Sequence, residues 1–140
     1  MKNLHIFILA AGKGTRMNSA LPKILHSIAG KPMVYHVIDQ AKKLKPKKIY
    51  VIVNKELKDN KNLLSSEIEI VVQKSQNGTA DAIKSCMPKI KNLSGNALIL
   101  YADIPLIELS SMKRAVNKVT KKNINLLTFV KDDQNSYGKV

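Results

Sequence analysis

Short apolar runs alternate with helix-spaced apolar positions along the chain. Leu4 to Ala10 is one continuous run that leads into a glycine loop, which predicts a buried strand. Val34, Val37, Ile38, Ala41 and Leu44 then recur at the spacing of one helix face. Pro32 sits where that helix starts. Lysines gather near its end, where the helix dipole favours cations, and Pro46 is expected to stop it. Ile49 to Val53 predicts a second strand, and a short helix is expected from Glu56 to Leu64. Ile68 to Val72 predicts a third strand. Ala80, Ile83 and Met87 mark a helix that ends before Pro88. Ala97 to Tyr101 is the fourth strand, Leu109, Met112, Val116 and Val119 mark a helix, and Ile124 to Val130 is the fifth strand.

Strands that alternate with helices imply βαβ crossovers. Near-continuous apolar strands fit a sheet covered on both faces. The expected fold is therefore α/β, a Rossmann-like, mostly parallel sheet with helices on both faces. A chain of 140 residues allows one domain with a real core. A hydrophobic share of 44% excludes a fully disordered chain. No apolar run approaches the ~20 residues that span a bilayer, and the first run reads as a strand, not a signal peptide. The one cysteine, Cys86, cannot form an internal disulfide and suits packing, so a soluble protein of a reducing, cytoplasmic setting is expected. Residues 132–140 are polar and carry no element signal, so the chain is expected to stop in mid-fold.

The formal charge of +14 raises nucleic-acid or other polyanion binding as an alternative. Only Arg16 and Arg114 are arginine, whereas base readers favour arginine, and the lysines are scattered. The densest group, Lys42, Lys43, Lys45, Lys47 and Lys48, falls between the first helix and the second strand. That is the edge of the sheet opposite the one where α/β sheets bind ligands. A solvated lysine face is the plainer reading, and nucleic acid and membrane are not expected partners.

The carboxyl ends of the strands carry the chemistry. Gly12-Lys13-Gly14-Thr15-Arg16 follows the first strand, Asn54 the second, Gln73 and Gln76-Asn77-Gly78-Thr79 the third, and Asp103-Ile104-Pro105 the fourth. Two glycines let backbone N–H groups approach an anion closely, and Arg16 and Lys23 can neutralise phosphate oxygens. A GxG pair alone also suits a structural turn. The loop is neither a Walker A loop nor a dinucleotide fingerprint, because Met17 stands at the third glycine position. Asp103 could hold Mg²⁺ beside substrate phosphates, or act as a turn aspartate. Gln73 carries an amide that reads a base edge, or simply ends a strand. Gly78-Thr79 opens a helix, where N–H groups meet a ligand or are capped. His5, His26 and His36 have no metal-ligand spacing and read as structural.

Leu9-Ala10-Ala11-Gly12-Lys13-Gly14-Thr15-Arg16-Met17, Leu21-Pro22-Lys23-Ile24-Leu25 and Ala29-Gly30-Lys31-Pro32-Met33 resemble the sugar-1-phosphate nucleotidyltransferases. Gln76-Asn77-Gly78-Thr79-Ala80, Tyr101-Ala102-Asp103-Ile104-Pro105-Leu106-Ile107 and Ser136-Tyr137-Gly138-Lys139-Val140 narrow the resemblance. It is closest to the uridyltransferase domain of bifunctional N-acetylglucosamine-1-phosphate uridyltransferase/glucosamine-1-phosphate acetyltransferases. The resemblance implies Mg²⁺-dependent uridylyl transfer from UTP to N-acetylglucosamine 1-phosphate, a cytoplasmic step toward peptidoglycan precursors in cell wall biogenesis. It implies that Gly12, Gly14, Thr15 and Arg16 hold the UTP phosphates, with Ala11 and Gly12 near the nucleoside. Lys23 would stabilise the transferred phosphoryl group, as a catalytic residue with Arg16. Gln73, Gly78 and Thr79 would read uracil, Asp103 would hold Mg²⁺, and Tyr101 and Gly138 would face the amino sugar.

Two departures stand out. Ala102 replaces a glycine usual in the family, so its methyl group would either crowd the crevice or be tolerated. The family's catalytic domain is also much longer, and neither its sugar-binding section nor the β-helix acetyltransferase domain is expected in residues 1–140. Self-association or a separate chain would supply the missing half. The alternatives are a UTP-binding fragment without catalysis and a related transferase for another base or sugar.

Overall fold

The elements follow one another as β1 (Leu4–Leu9), β2 (Ser27–Ile28), β3 (Lys31–Pro32), α1 (Met33–Lys42), β4 (Lys48–Val53), β5 (Ile68–Val72), α2 (Thr79–Lys84), α3 (Met87–Ile90), β6 (Asn96–Tyr101) and α4 (Leu109–Asn117). The computed structural model describes residues 3–12, 14–58, 67–75 and 77–128. Strands β1, β4, β5 and β6 form one sheet in the order β5-β4-β1-β6, with every neighbouring pair parallel. In register, Leu9 lies beside Ile52 on one side and Tyr101 on the other. The predicted α/β parallel sheet is therefore the observed one, and the first, second and fourth strands end within one residue of expectation.

Side chains alternate across the sheet, so each strand feeds two cores. Leu4, Ile6 and Ile8 of β1 join Ile49, Val51 and Val53 of β4 and Leu98 and Leu100 of β6 on one face. Helix α1 covers them with Val34, Val37, Ile38 and Ala41, and α4 with Met112 and Val116. Each such side chain, fully buried, contributes roughly 1.5–3 kcal/mol. On the other face Phe7, Tyr50, Ile52 and Val71 pack under Ala82 and Cys86 of the α2–α3 segment. Phe7 and Tyr50 stack with ring centroids 5.0 Å apart. That second cover stops short of β6, where Ile99 and Tyr101 are 45% and 46% exposed.

Four local expectations change. The helix over Ala80 to Met87 breaks at Ser85–Cys86, and Pro88 lies in the first turn of α3 instead of beyond a helix end. A first-turn residue needs no N–H donor, so proline fits there. Helix α1 ends at Lys42, before Pro46, and Lys45 takes a left-handed φ of 49°. Where a helix from Glu56 to Leu64 was expected, the described residues begin with a 3-10 turn, Lys55–Leu57; residues 59–66 lie outside the described ones. Residues 124–128 form no strand, and Ile124, Leu126 and Leu127 are exposed; Val130 lies outside the described residues. A strand is made by its pairing partners, and apolar β-branched residues without one do not suffice.

The hairpin β2–β3 was not expected. Ala29 and Gly30 form its two-residue loop with φ of 49° and 76°, the doubly left-handed turn that matches strand twist. His36 Nε2 sits 2.8 Å from the Ile28 carbonyl oxygen, and His26 Nε2 lies 3.1 Å from the Leu21 carbonyl oxygen. His5 is buried, and neither ring nitrogen has a hydrogen-bond partner. Burial first, and the Lys47 ammonium second, lower its pKa, so it packs as a neutral ring. Among the described residues no three His, Cys, Asp or Glu side chains group as metal ligands. Cys86 is fully buried and burial pushes its thiol up to about 11, which fits inert packing. Among the described residues no helix is long and apolar enough to cross a membrane.

Candidate functional site

The sheet delivers its polar residues to the carboxyl ends of its strands, and two groups form there. The first begins where β1 ends. Ala10 N–H still donates to Ile52 O at 2.8 Å, and Ala11 is buried. The chain then leaves the sheet through Gly12 and enters the 3-10 turn Thr15–Met17, closed by Met17 N–H on Gly14 O at 2.9 Å. Gly14 is left-handed, with φ 60°, and a Cβ on it would stand 2.6 Å from Lys23 Cβ. The glycine therefore does two things at once: it supplies the turn and lets the Lys23 stem lie against the loop.

Lys23 opens a second 3-10 turn, Lys23–Leu25, pinned by buried Ile24. Its Nζ donates to Asp103 Oδ2 at 2.7 Å. Asp103 is fixed from the other side, because Ala102 N–H donates to Leu9 O at 3.0 Å and continues the pairing of β6 with β1. Gly14 and Lys23, from one loop region, and Asp103, eighty residues beyond Lys23, are thus neighbours in a chain of contacts. Arg16 is exposed beside them in the turn. Both Lys23 and Asp103 keep over a third of their side-chain surface in water. An exposed pair of this kind is worth about 0–1 kcal/mol, so ligand oxygens or a cation can displace it at little cost. One carboxylate fits a Mg²⁺ ion that takes its other ligands from water and phosphate oxygens.

Ala102 is fully buried among the residues of the main core. Its methyl group is part of that packing.

The second group lies beyond β5. Gln73 N–H donates to Val53 O at 2.8 Å, which carries the pairing with β4 one residue further. Its side chain is buried, and Nε2 donates to Asp81 Oδ2 at 2.8 Å and to Gly78 O at 3.4 Å. Gly78, with φ 100°, and Thr79 are exposed at the start of α2. Gln73, Gly78 and Thr79 are therefore brought together. Asp81 was not singled out from sequence. Its only signal was its place in the turn that follows Gly78-Thr79. Asn54 is also buried, and its Oδ1 accepts from Leu57 N–H at 3.1 Å, so it caps the 3-10 turn. Tyr101 is half-exposed on the open face of β6, and Gly138 lies outside the described residues.

The lysine cluster lies at the opposite edge. Lys47 N–H donates to Leu4 O at the start of β1, and Lys42 and Lys48 pair with Glu67 and Glu69 at 2.7 and 3.6 Å.

With this arrangement in hand, the sequence matches the MobA-like NTP transferase domain over residues 6–137. The chain belongs to that family. It is 42% identical over 139 residues to the bifunctional protein GlmU of Pseudomonas aeruginosa (strain LESB58), covering 99% of this chain and 30% of GlmU. It is 41% identical over 140 residues to the bifunctional protein GlmU of Buchnera aphidicola subsp. Schizaphis graminum, again 99% of this chain and 30% of that protein. The chain thus spans about a third of these relatives. Among solved structures, Rv0371c of Mycobacterium tuberculosis superposes with a TM-score of 0.69 at 14% identity, covering 82% of this chain and 59% of that one. That likeness concerns the fold.

Proposed function

We propose that this chain is the nucleotide-binding part of a sugar-1-phosphate uridylyltransferase that makes UDP-N-acetylglucosamine from UTP and N-acetylglucosamine 1-phosphate. What carries the reading is the contact chain Gly14–Lys23–Asp103, which joins a glycine loop, a cation and a carboxylate from three segments. Identity to the amino-terminal region of GlmU supports it. A phosphate oxygen of the sugar phosphate attacks the α-phosphorus of UTP, the bond from that phosphorus to the bridging oxygen breaks, and pyrophosphate leaves.

No side chain needs to form a covalent bond in such a displacement; positioning and charge neutralisation suffice. The Gly12–Gly14 loop offers backbone N–H groups to the phosphates. Lys23 and Arg16 offset the charge on the transferred phosphoryl group. Asp103 would hold a Mg²⁺ ion, which would neutralise charge on the phosphate oxygens when bound. Gln73 with the Gly78-Thr79 backbone reads uracil, and Tyr101 and Gly138 face the amino sugar.

Calorimetry of UTP with this chain, with and without Mg²⁺ and with ATP, CTP and dTTP as controls, tests the reading. UTP-selective binding strengthened by Mg²⁺ is expected. Equal affinity for all four nucleotides, or none, overturns it. The alternative reading is a UTP-binding unit without catalysis of its own. Pyrophosphate release by the chain with both substrates present would exclude that reading.

A further inference from the structure

We propose that Asp81 is a positioning residue that sets base selectivity by fixing which end of the Gln73 amide faces the nucleotide. The inference rests on the uridylyl-transfer reading, in which Gln73 is the base reader.

A glutamine amide has a donor end and an acceptor end of nearly the same shape, so a glutamine free to flip reads a base either way. Gln73 is not free. It is only 5% exposed, and among the described residues Nε2 donates to the Asp81 carboxylate, at 2.8 Å, and to the Gly78 carbonyl, at 3.4 Å. An ionised carboxylate and a carbonyl only accept. A flipped amide would set its oxygen against both and lose a charge-assisted hydrogen bond. The NH₂ group is therefore committed to Asp81 and Gly78, and Oε1 occupies the other end of the amide.

Asp81 is well placed for this. It lies in the first turn of α2, where a negative charge is favoured. Its neighbour Ala82 is buried in the second core and anchors the turn. The Gln73 backbone is held by Val53 O. Both ends of the Asp81–Gln73 bond are thus anchored, one by the helix and one by the sheet.

An acceptor presented to a pyrimidine selects the base that donates at N3. Uracil and thymine carry N3–H, whereas cytosine has a bare N3 acceptor and meets Oε1 with repulsion. A site whose buried polar group is left unpaired by the wrong ligand rejects it more strongly than shape alone does. Asp81 would therefore select N3–H pyrimidines over cytosine without touching the base.

Asp81→Asn tests this, because an asparagine amide can present a donor or an acceptor to Gln73 and no longer dictates its flip. The UTP-to-CTP affinity ratio is expected to fall about five- to tenfold, as for the loss of one oriented hydrogen bond. Pyrophosphate affinity should stay as in the wild type, and Asp81→Glu should restore part of the ratio. An unchanged ratio, or equal weakening of UTP, CTP and pyrophosphate, overturns the proposal. Should Asp81→Asn fail to fold, NMR of the wild-type side-chain amide decides. The Gln73 Nε2 protons should hold their shifts on UTP binding while the carbonyl carbon moves; movement of those protons instead overturns it. A wild-type chain that binds no nucleotide removes the uridylyl-transfer reading as well, a result distinct from each of these.

Discussion

The two groups at the carboxyl edge are built on opposite principles. On the glycine-loop side the charged partners stand in water: Lys23 and Asp103 are 36% and 39% exposed and touch at 2.7 Å. On the Gln73 side the polar partner is buried and committed, with Nε2 held by Asp81 and Gly78. A solvent-exposed ion pair costs little to exchange for other charges. A buried amide that loses its partner pays a desolvation penalty. In the proposed function this division is sensible. Phosphates and a cation bind by exchanging with an existing pair, whereas base identity is read by a group that must not rearrange.

The largest expected effect separates ligand affinity from stability on the exposed side. Asp103→Ala should cost the fold no more than about 1 kcal/mol, because it breaks an exposed pair. It should nevertheless abolish the strengthening of UTP binding by Mg²⁺, since in the proposed function that carboxylate holds the cation. Thermal denaturation and calorimetry at matched Mg²⁺ concentrations read the two quantities. A variant that binds UTP with undiminished Mg²⁺ dependence removes Asp103 from the cation site. One that unfolds by several kcal/mol shows that the pair is structural and breaks the contrast.

On the buried side the order reverses. Gln73→Leu leaves the Asp81 carboxylate without its amide donor, so a stability loss of about 1–3 kcal/mol is expected. Denaturant titration at pH 7 measures it. The same variant should lose most of its preference for UTP over CTP while keeping its response to Mg²⁺. If Gln73→Leu is as stable as the wild type, the amide is not locked and the two sides differ less than their exposures suggest.

Much of this was legible in the sequence because it depends on local chain order. The apolar runs marked four parallel strands, and the topology of such a sheet gathers whatever follows each strand on one edge. Gly12, Gly14, Gln73 and Asp103 were found that way. What sequence missed depends on contacts between segments. Asp81 meets Gln73 because the first turn of α2 returns it to the end of β5. Ala102 turns out to be buried in the main core. The stretch after Ile124 has strand-like residues, but among the described ones no neighbour pairs with it. The residue pattern also suggested that every strand would be covered on both faces. Ile99 and Tyr101, half-exposed, show that among the described residues the second face of β6 is only partly covered.

The smallest expected effect distinguishes two glycines of one loop that look equivalent in sequence. Gly12→Ala meets nothing within 4 Å and has no left-handed φ, so the fold should tolerate it to within about 0.5 kcal/mol. Gly14→Ala is different on both counts. Its φ of 60° disfavours a side chain by about 1–2 kcal/mol, and its new Cβ would stand 2.6 Å from Lys23 Cβ. The Lys23 stem is part of a turn pinned by buried Ile24, so the loop must give way instead. UTP affinity should fall about tenfold in Gly14→Ala, the loss of roughly one well-placed phosphate contact. Any effect of Gly12→Ala on UTP should act through the bound ligand, since among the described residues nothing lies within 4 Å of the new Cβ. Denaturation and UTP titration of the pair separate the cases. Equal stability losses in both variants would mean that the contact between loop and lysine does not shape the exposed side, and that its groups are held independently.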